Sequence, residues 1–373
     1  MSDERFTVGV EEEYLIVDAQ TLGLRPVVDT ILPQARLRLG DDQVTSELVA
    51  ALIEVETSVC DGLGQVRDEV GRLRAQVVAA AAEEGRRILA SGTHPFSSWR
   101  GQDITDTDRF HRLAEDYQQL AREQLICGCH VHVAVADRDV AIRVIDRTRP
   151  WLPVLLALTA NSPFWEGVDT GYASYRTAVF DRWPTSGAPI PLGSRAAYDE
   201  VVDALVATGS IPDASQLYWD VRPSDRFGTV EFRIADVCAT VDETVMLAGL
   251  ARSLTRTCHG QVVRDDPVDH TRPELVRAAR WRAARHGLEG ELVDLWECEA
   301  VPAGDLVERL LAFLRPDLEE HGEWEDVAGL VRQQVERGSG ARRQREAAER
   351  GGVVAVAAAL VDQTAPPAVA PSA

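Results

Sequence analysis

Along the first two-thirds of the chain, short stretches alternate apolar and polar residues with a period of two, and helical periodicity fills the gaps between them. Residues 6–17, FTVGVEEEYLIV, are rich in β-branched and aromatic side chains and read as a strand. Residues 45–59, ending in LIEVETSV, read the same way. Val66, Val70, Leu73 and Val77 recur on one helix face, which predicts an amphipathic helix over about 64–87. ILASGTHPF follows as a short strand running into a loop. Phe110, Leu113, Tyr117 and Leu120 mark another helix, entered through the segment DITDTD, and CGCHVHVAV at 127–135 is again a strand. TVEFRIADV at 229–237 is the last strand expected, and beyond about residue 240 the pattern is helical. Residues 181–194, DRWPTSGAPIPLGS, are crowded with Pro and Gly and read as a long loop, the candidate for a lid.

Strands early, helices late and few βαβ units predict an α+β fold with an antiparallel sheet. No internal repeat or low-complexity linker divides the 373 residues. A single domain over 1–363 is therefore expected, with a disordered tail, TAPPAVAPSA, at 364–373.

Charge and composition remove whole classes of function. With 39 basic against 60 acidic residues, the net charge is −21, which argues against nucleic acid as a partner. The basic residues are all Arg. A chain without Lys has no Schiff-base lysine and no P-loop lysine, so any ATP it handles must be held by Arg and metal ions. No run of apolar residues is long enough to span a membrane, and the charged start SDERFTV is no signal peptide, so a cytoplasmic protein is expected. Six cysteines are too sparse for a disulfide scaffold.

The candidate chemistry lies in a recurrence. Glu11 and Glu13, Glu54 and Glu56, His130 and His132, and Glu231 and Arg233 are each two apart on an expected strand. Residues i and i+2 share a face, so each pair projects from one side of its strand. An exposed sheet face explains any one pair. It explains the set poorly, because Glu is depleted in strands. If the strands share a sheet, carboxylates, imidazoles and a guanidinium converge, and two carboxylates about 4 Å apart repel by ~4 kcal/mol at an effective dielectric near 20. Such a cluster calls for cations, and hard oxygen ligands with imidazole suit Mg²⁺ or Mn²⁺ better than zinc. Glu12 points the other way. Glu47 lies an odd number of residues before Glu54 and joins only if a bend corrects its direction. Cys127 and Cys129 lack the second cysteine pair that a zinc site needs. His94 reads equally as a hydrogen-bonding residue or a ligand, and Trp165 and Trp219 as core or pocket wall.

Taken in order, GVEEEY, LIEVET, SGTHPF, CGCHVHV, LTANSPFW, SYRTAVFDRWP and GTVEFRIAD resemble the carboxylate–amine ligase family, also called glutamate–cysteine ligase type 2. The resemblance implies a glutamine-synthetase-like fold, in which the concave face of a curved antiparallel sheet, packed by helices, binds ATP and divalent metal. It implies that Glu11, Glu13, Glu54, His130 and Glu231 are metal ligands and that Arg233 stands beside the transferred phosphate. Arg176, Asn161 and Ser162 fall where substrate or nucleotide contacts are expected. His132 and Glu56 match in position without a definite role. The implied reaction is ATP-dependent amide formation through an acyl phosphate, with glutamate and cysteine as substrates and roughly two or three Mg²⁺ ions. The sequence leaves the oligomeric state open, a homodimer being one candidate.

Two other readings stay open. An HxH strand with later acidic residues also occurs in metal-dependent amidohydrolases built on (β/α)₈ barrels. A relative that has lost catalysis would bind nucleotide or an amino acid only.

Overall fold

The computed structural model describes residues 5–268 and 271–366. Its centre is a seven-stranded sheet of β1 (Val8–Asp18), β2 (Val44–Ser46), β3 (Leu52–Glu56), β4 (Arg86–Leu89), β5 (Gly128–Ala134), β6 (Val221–Pro223) and β7 (Thr229–Asp236). The order is β2-β3-β1-β5-β7-β6, with β4 pairing the C-terminal half of β1 beside β5, and every pair is antiparallel. An open antiparallel sheet is the expected α+β arrangement and removes the parallel barrel that the amidohydrolase reading requires.

Strand periodicity then decides what each face carries. Val8, Val10, Val131, Val133, Val230 and Phe232 turn to one side, where they pack under the helices Leu152–Thr159, Val241–Val263 and Ala303–Glu320. Tyr14, Ile53 and Val55 extend that layer beneath the helices Val28–Leu39 and Leu63–Glu83. Cys127 and Cys129 belong to these apolar layers, and neither joins a candidate metal-ligand group among the described residues. The residues between them face the other way and line the floor of a cavity.

Several expected boundaries shift for local reasons. The stretch expected as one strand over 45–59 is two, β2 and β3, broken over residues 47–51. The helix expected over 64–87 runs Leu63–Glu83 and stops at Gly85, whose φ of 65° few other residues adopt. Thr107 caps the helix Asp108–Tyr117 by accepting a hydrogen bond from Phe110 N. The helical C-terminal part contains one hairpin that periodicity does not show, Glu291–Asp294 with Glu299–Pro302. The last helix, Gly340–Thr364, takes in the first residue of the expected tail: Thr364 is buried and its hydroxyl accepts a 2.8 Å hydrogen bond from Ala90 N. Residues 367–373 of that tail lie outside the described residues. No helix among those described is long and apolar enough to cross a membrane.

Residues 181–194 form an irregular loop, as expected, but it is held down along its length. Leu192 N and Gly193 N donate to Asp146, Arg149 donates to Pro189 O at 2.5 Å, and Asp220 N donates to Gly187 O at 2.9 Å.

Candidate active site

Register places the paired residues side by side. Across β1 and β3, Glu11 stands opposite Glu56 and Glu13 opposite Glu54. Across β1 and β5, Glu11 faces His130, and across β5 and β7, His132 faces Glu231. A bulge sets Arg233 and Ile234 together opposite His130, so Arg233 stays on the site face while Asp236, further along, returns to it. The result is a cavity of about 550 Å³ whose floor is Glu11, Glu13, Glu54, Glu56, His130, His132, Glu231 and Arg233.

Two residues join that the sequence pattern placed weakly or missed. Glu47 sits at the break between β2 and β3, and the break turns it toward Glu13 and Glu54, which is the bend its odd spacing demanded. Arg222 comes from β6, a three-residue strand ending in Pro223 that leaves no periodic signal. Its Nε donates to Glu231 Oε2 at 2.7 Å, and Arg233 Nη1 donates to Glu231 Oε1.

The carboxylates fall into groups that could each hold a cation. Glu11, Glu54 and His130 form one; Glu11, His132 and Glu231 a second; Glu13, Glu47 and Glu54 a third, the candidate ligand atoms of each lying within 4.8 Å of one another. Glu11 and Glu54 are shared. His130 Nδ1 is 2.9 Å from Glu11 Oε2, leaving Nε2 turned toward Glu13, 4.0 Å away. His132 Nδ1 is 3.0 Å from Thr229 Oγ1, and its buried Nε2 lies 3.0 Å from Glu11 Oε1; burial works against the charged ring, but Glu11 raises its pKa above the ordinary value. Two imidazoles among so many carboxylates are a donor set that fits a divalent cation.

Electrostatics agrees. Burial pushes the Glu13 carboxyl up to about 7, with Glu47 adding to the effect. Burial also raises Glu54 well above the usual range, reinforced by Glu47, Glu11, Glu13 and Glu56. Burial lowers His130 to about 4, helped by the Arg233 charge, so its ring is neutral and a competent ligand. Glu11 and Glu231 go the other way. Burial opposes their ionisation, but His130 and His132 hold Glu11 well below the usual range, and Arg233 and Arg222 do the same for Glu231.

Of the expected substrate contacts Arg176, Asn161 and Ser162, only Arg176 reaches the cavity, where His132, matched without a definite role, lies on the floor. Arg176 is 3% exposed, with Nη1 3.4 Å from Ile234 O and Nη2 3.3 Å from Arg233 O. It passes so close to β5 that a Cβ on Gly128 would lie 2.4 Å from its Nη2. Asn161 and Ser162 are not in the wall. Asn161 N and Ser162 Oγ donate to the buried Asp236 at 2.8 and 2.7 Å, Asn161 Nδ2 donates to Ala90 O and Val237 O, and Ser162 Oγ accepts from Arg176 N at 3.0 Å. The motif NSPFW thus props the helix Tyr175–Phe180 behind the site. His94 also resolves as structural: it is buried, Nε2 is 2.9 Å from Leu22 O, and Nδ1 accepts from Ser97 N. Trp165 and Trp219 pack against Tyr175 and Tyr198 away from the cavity, and Trp183 lines it instead.

The sequence matches the profile of glutamate–cysteine ligase family 2 over residues 7–360. The chain belongs to that family. A protein of Rhodopirellula baltica, provisionally named glutamate–cysteine ligase 2, is 40% identical over 373 residues, covering 99% of this chain and 100% of that one. A similarly named protein of Frankia alni is 44% identical over 359 residues, covering 93% of each. Other relatives are longer: this chain spans only 42% of one from Frankia casuarinae that is 44% identical over 362 residues. Among solved structures, the glutamate–cysteine ligase of Francisella tularensis in complex with AMP superposes with a TM-score of 0.71 over 97% of this chain and 89% of that one, at 13% identity. A bifunctional glutathione synthetase from Pasteurella multocida gives the same TM-score, 0.71, at 16% identity, over 96% of this chain and 52% of that one. At such identities these two structures show the fold.

Proposed function

We propose that this protein is an ATP-dependent carboxylate–amine ligase acting through an acyl phosphate, with glutamate as the carboxylate. The observation that carries the reading is the set of three overlapping acidic triads on one sheet face, with Arg222 and Arg233 clamped on Glu231 beside them. The names of the relatives supply glutamate, and cysteine as the amine. The AMP bound by the Francisella ligase supports a nucleotide in a fold of this kind.

A carboxylate is a poor electrophile, and phosphorylation turns one of its oxygens into a leaving group. Mg²⁺, or Mn²⁺, would neutralise phosphate charge and orient the transferred group. Glu11, Glu13, Glu47, Glu54, His130, His132 and Glu231 are the residues that would hold it. Arg233, fixed by Glu231, supplies a permanent positive charge next to that group, the part a lysine plays in P-loop proteins. Arg176, beside Glu13, offers a cation to the substrate carboxylate. The amine nitrogen then bonds to the acyl carbon, the carbon–oxygen bond to phosphate breaks, and the departing phosphate takes up the proton the amine loses. The chain up to Thr364, where its last helix ends, serves this reaction as one catalytic unit, in the cytoplasm where ATP is made.

The test is ADP release with Mg²⁺ and ATP against amino acids and amines, singly and in pairs. ADP that requires both a carboxylate and an amine is the expected result. Turnover without ATP would contradict the reading, and so would nucleotide binding with no turnover in any pair.

A further inference from the structure

A second cavity, of about 460 Å³, shares no side chain with the one on the sheet face. It lies where the turn after the helix Arg138–Thr148 meets the helix Ala303–Glu320 and the hairpin Glu291–Asp294 with Glu299–Pro302. Its wall is aromatic and fixed. Phe313 stacks on Trp151, with ring centroids 5.0 Å apart and planes inclined by 24°, and Trp296 lies 4.5 Å from Trp151. Arg309 covers the Trp296 ring at 4.6 Å and is tied to one oxygen of Asp294, whose other oxygen accepts from Trp296 N at 2.9 Å.

Arg147 is the other cation of this wall. It is 8% exposed and has no ion pair among the described residues. Its Nη1 and Nη2 donate to the carbonyls of Arg143 and Asp266 at 3.1 and 2.6 Å, and its Nε has no acceptor. The adjacent Asp146 is engaged elsewhere, by Leu192 N and Gly193 N. A buried cation ordinarily keeps a carboxylate beside it, because its lost hydration is otherwise not replaced. The buried Arg74, Arg252, Arg256 and Arg280 each have one. Arg147 and Arg176 rest on carbonyl oxygens instead, and both line a cavity. With Arg309 matched by Asp294, Arg147 leaves one uncompensated positive charge beside three rings. We propose that this cavity is a second ligand site, separate from the sheet-face cavity, and takes a small carboxylic acid that carries an aromatic ring. The carboxylate meets Arg147 and the ring lies against Trp151, Trp296 and Phe313. The assignment does not rest on the ligase reading.

The probe is 3-phenylpropionate, titrated calorimetrically into the whole chain. 3-Phenylpropionamide keeps the ring without the charge, and propionate keeps the charge without the ring. The aromatic acid is expected to bind at least about 10-fold more tightly than either. Arg147→Gln should weaken it about 10-fold or more, and Phe313→Leu, which stays apolar but removes a stacked ring, about 3-fold or more. Arg176→Gln tells the two cavities apart, because only a carboxylate seated on the sheet face loses affinity there. Should Arg147→Gln fail to fold, Phe313→Leu and the amide decide. The assignment is overturned by an amide that binds as tightly as the acid, by unchanged affinity in folded Arg147→Gln and Phe313→Leu, or by affinity lost in Arg176→Gln and kept in those two. No binding at millimolar acid overturns it as well.

Discussion

Two buried charge clusters sit back to back across β1, one residue apart in sequence. Glu12 turns toward the helices, where it is 2% exposed and paired with Arg74, itself 0% exposed, at 2.5 Å. Thr244 Oγ1 donates to it at 2.6 Å, the Tyr14 hydroxyl donates as well, and the remaining Arg74 protons go to the carbonyls of Cys238 and Ala239. That cluster is neutral and closed. Glu11 and Glu13 turn the opposite way, into a cluster with Glu47, Glu54, Glu56 and Glu231 that Arg176, Arg222 and Arg233 do not balance. Burial of a carboxylate thus says little about its role. What distinguishes the two faces is whether the partners complete the charge, and only the incomplete one asks for a cation.

The comparison can be broken from either side. Removing the cation of the closed cluster with Arg74→Met strands Glu12 and should cost about 3–5 kcal/mol, read by urea unfolding, with no dependence on Mg²⁺. On the open face, Glu231→Gln leaves Arg222 and Arg233 without their shared carboxylate and should lower turnover on the order of 10³-fold in protein that still unfolds cooperatively. A well-folded, active variant would show that Glu231 plays no part in the chemistry.

The open face also predicts a pH signature. Glu13 titrates near 7 in the folded chain and near 4.5 unfolded, so between these values the folded state binds the extra proton. Its contribution is present below about pH 4.5 and lost as the pH rises through 7. Relative to Glu13→Gln, the metal-free wild type should lose roughly 3 kcal/mol over that window, and Mg²⁺ should flatten the difference. A metal-free protein with no such slope would mean that Glu13 is not strained. The smallest effect expected is that of Gly128→Ala. The added methyl displaces Arg176 and should lower kcat/KM roughly 10-fold or more with little change in unfolding.

The floor of the site was legible because strand periodicity alone puts Glu11, Glu13, Glu54, His130, His132, Glu231 and Arg233 on shared faces. What stayed hidden depends on chain direction over a few residues. Glu47 needs the break after Ser46, and Arg222 needs a strand too short to have a period. The cavity wall comes from residues distant in sequence, and Asn161 and Ser162, whose motif suggested contact, are absorbed by Asp236 behind the wall. Motif position located the neighbourhood of these groups, and hydrogen bonding assigned their task.

The most direct test of the acid-surplus account is a titration of the protein with Mn²⁺, followed by electron paramagnetic resonance, for the wild type and for Glu11→Gln. Glu11 belongs to two of the three triads, so the account predicts more than one bound Mn²⁺ in the wild type and a loss of occupancy in the variant. A wild type that binds no Mn²⁺ at millimolar concentration, or a variant that binds it equally well, would contradict it.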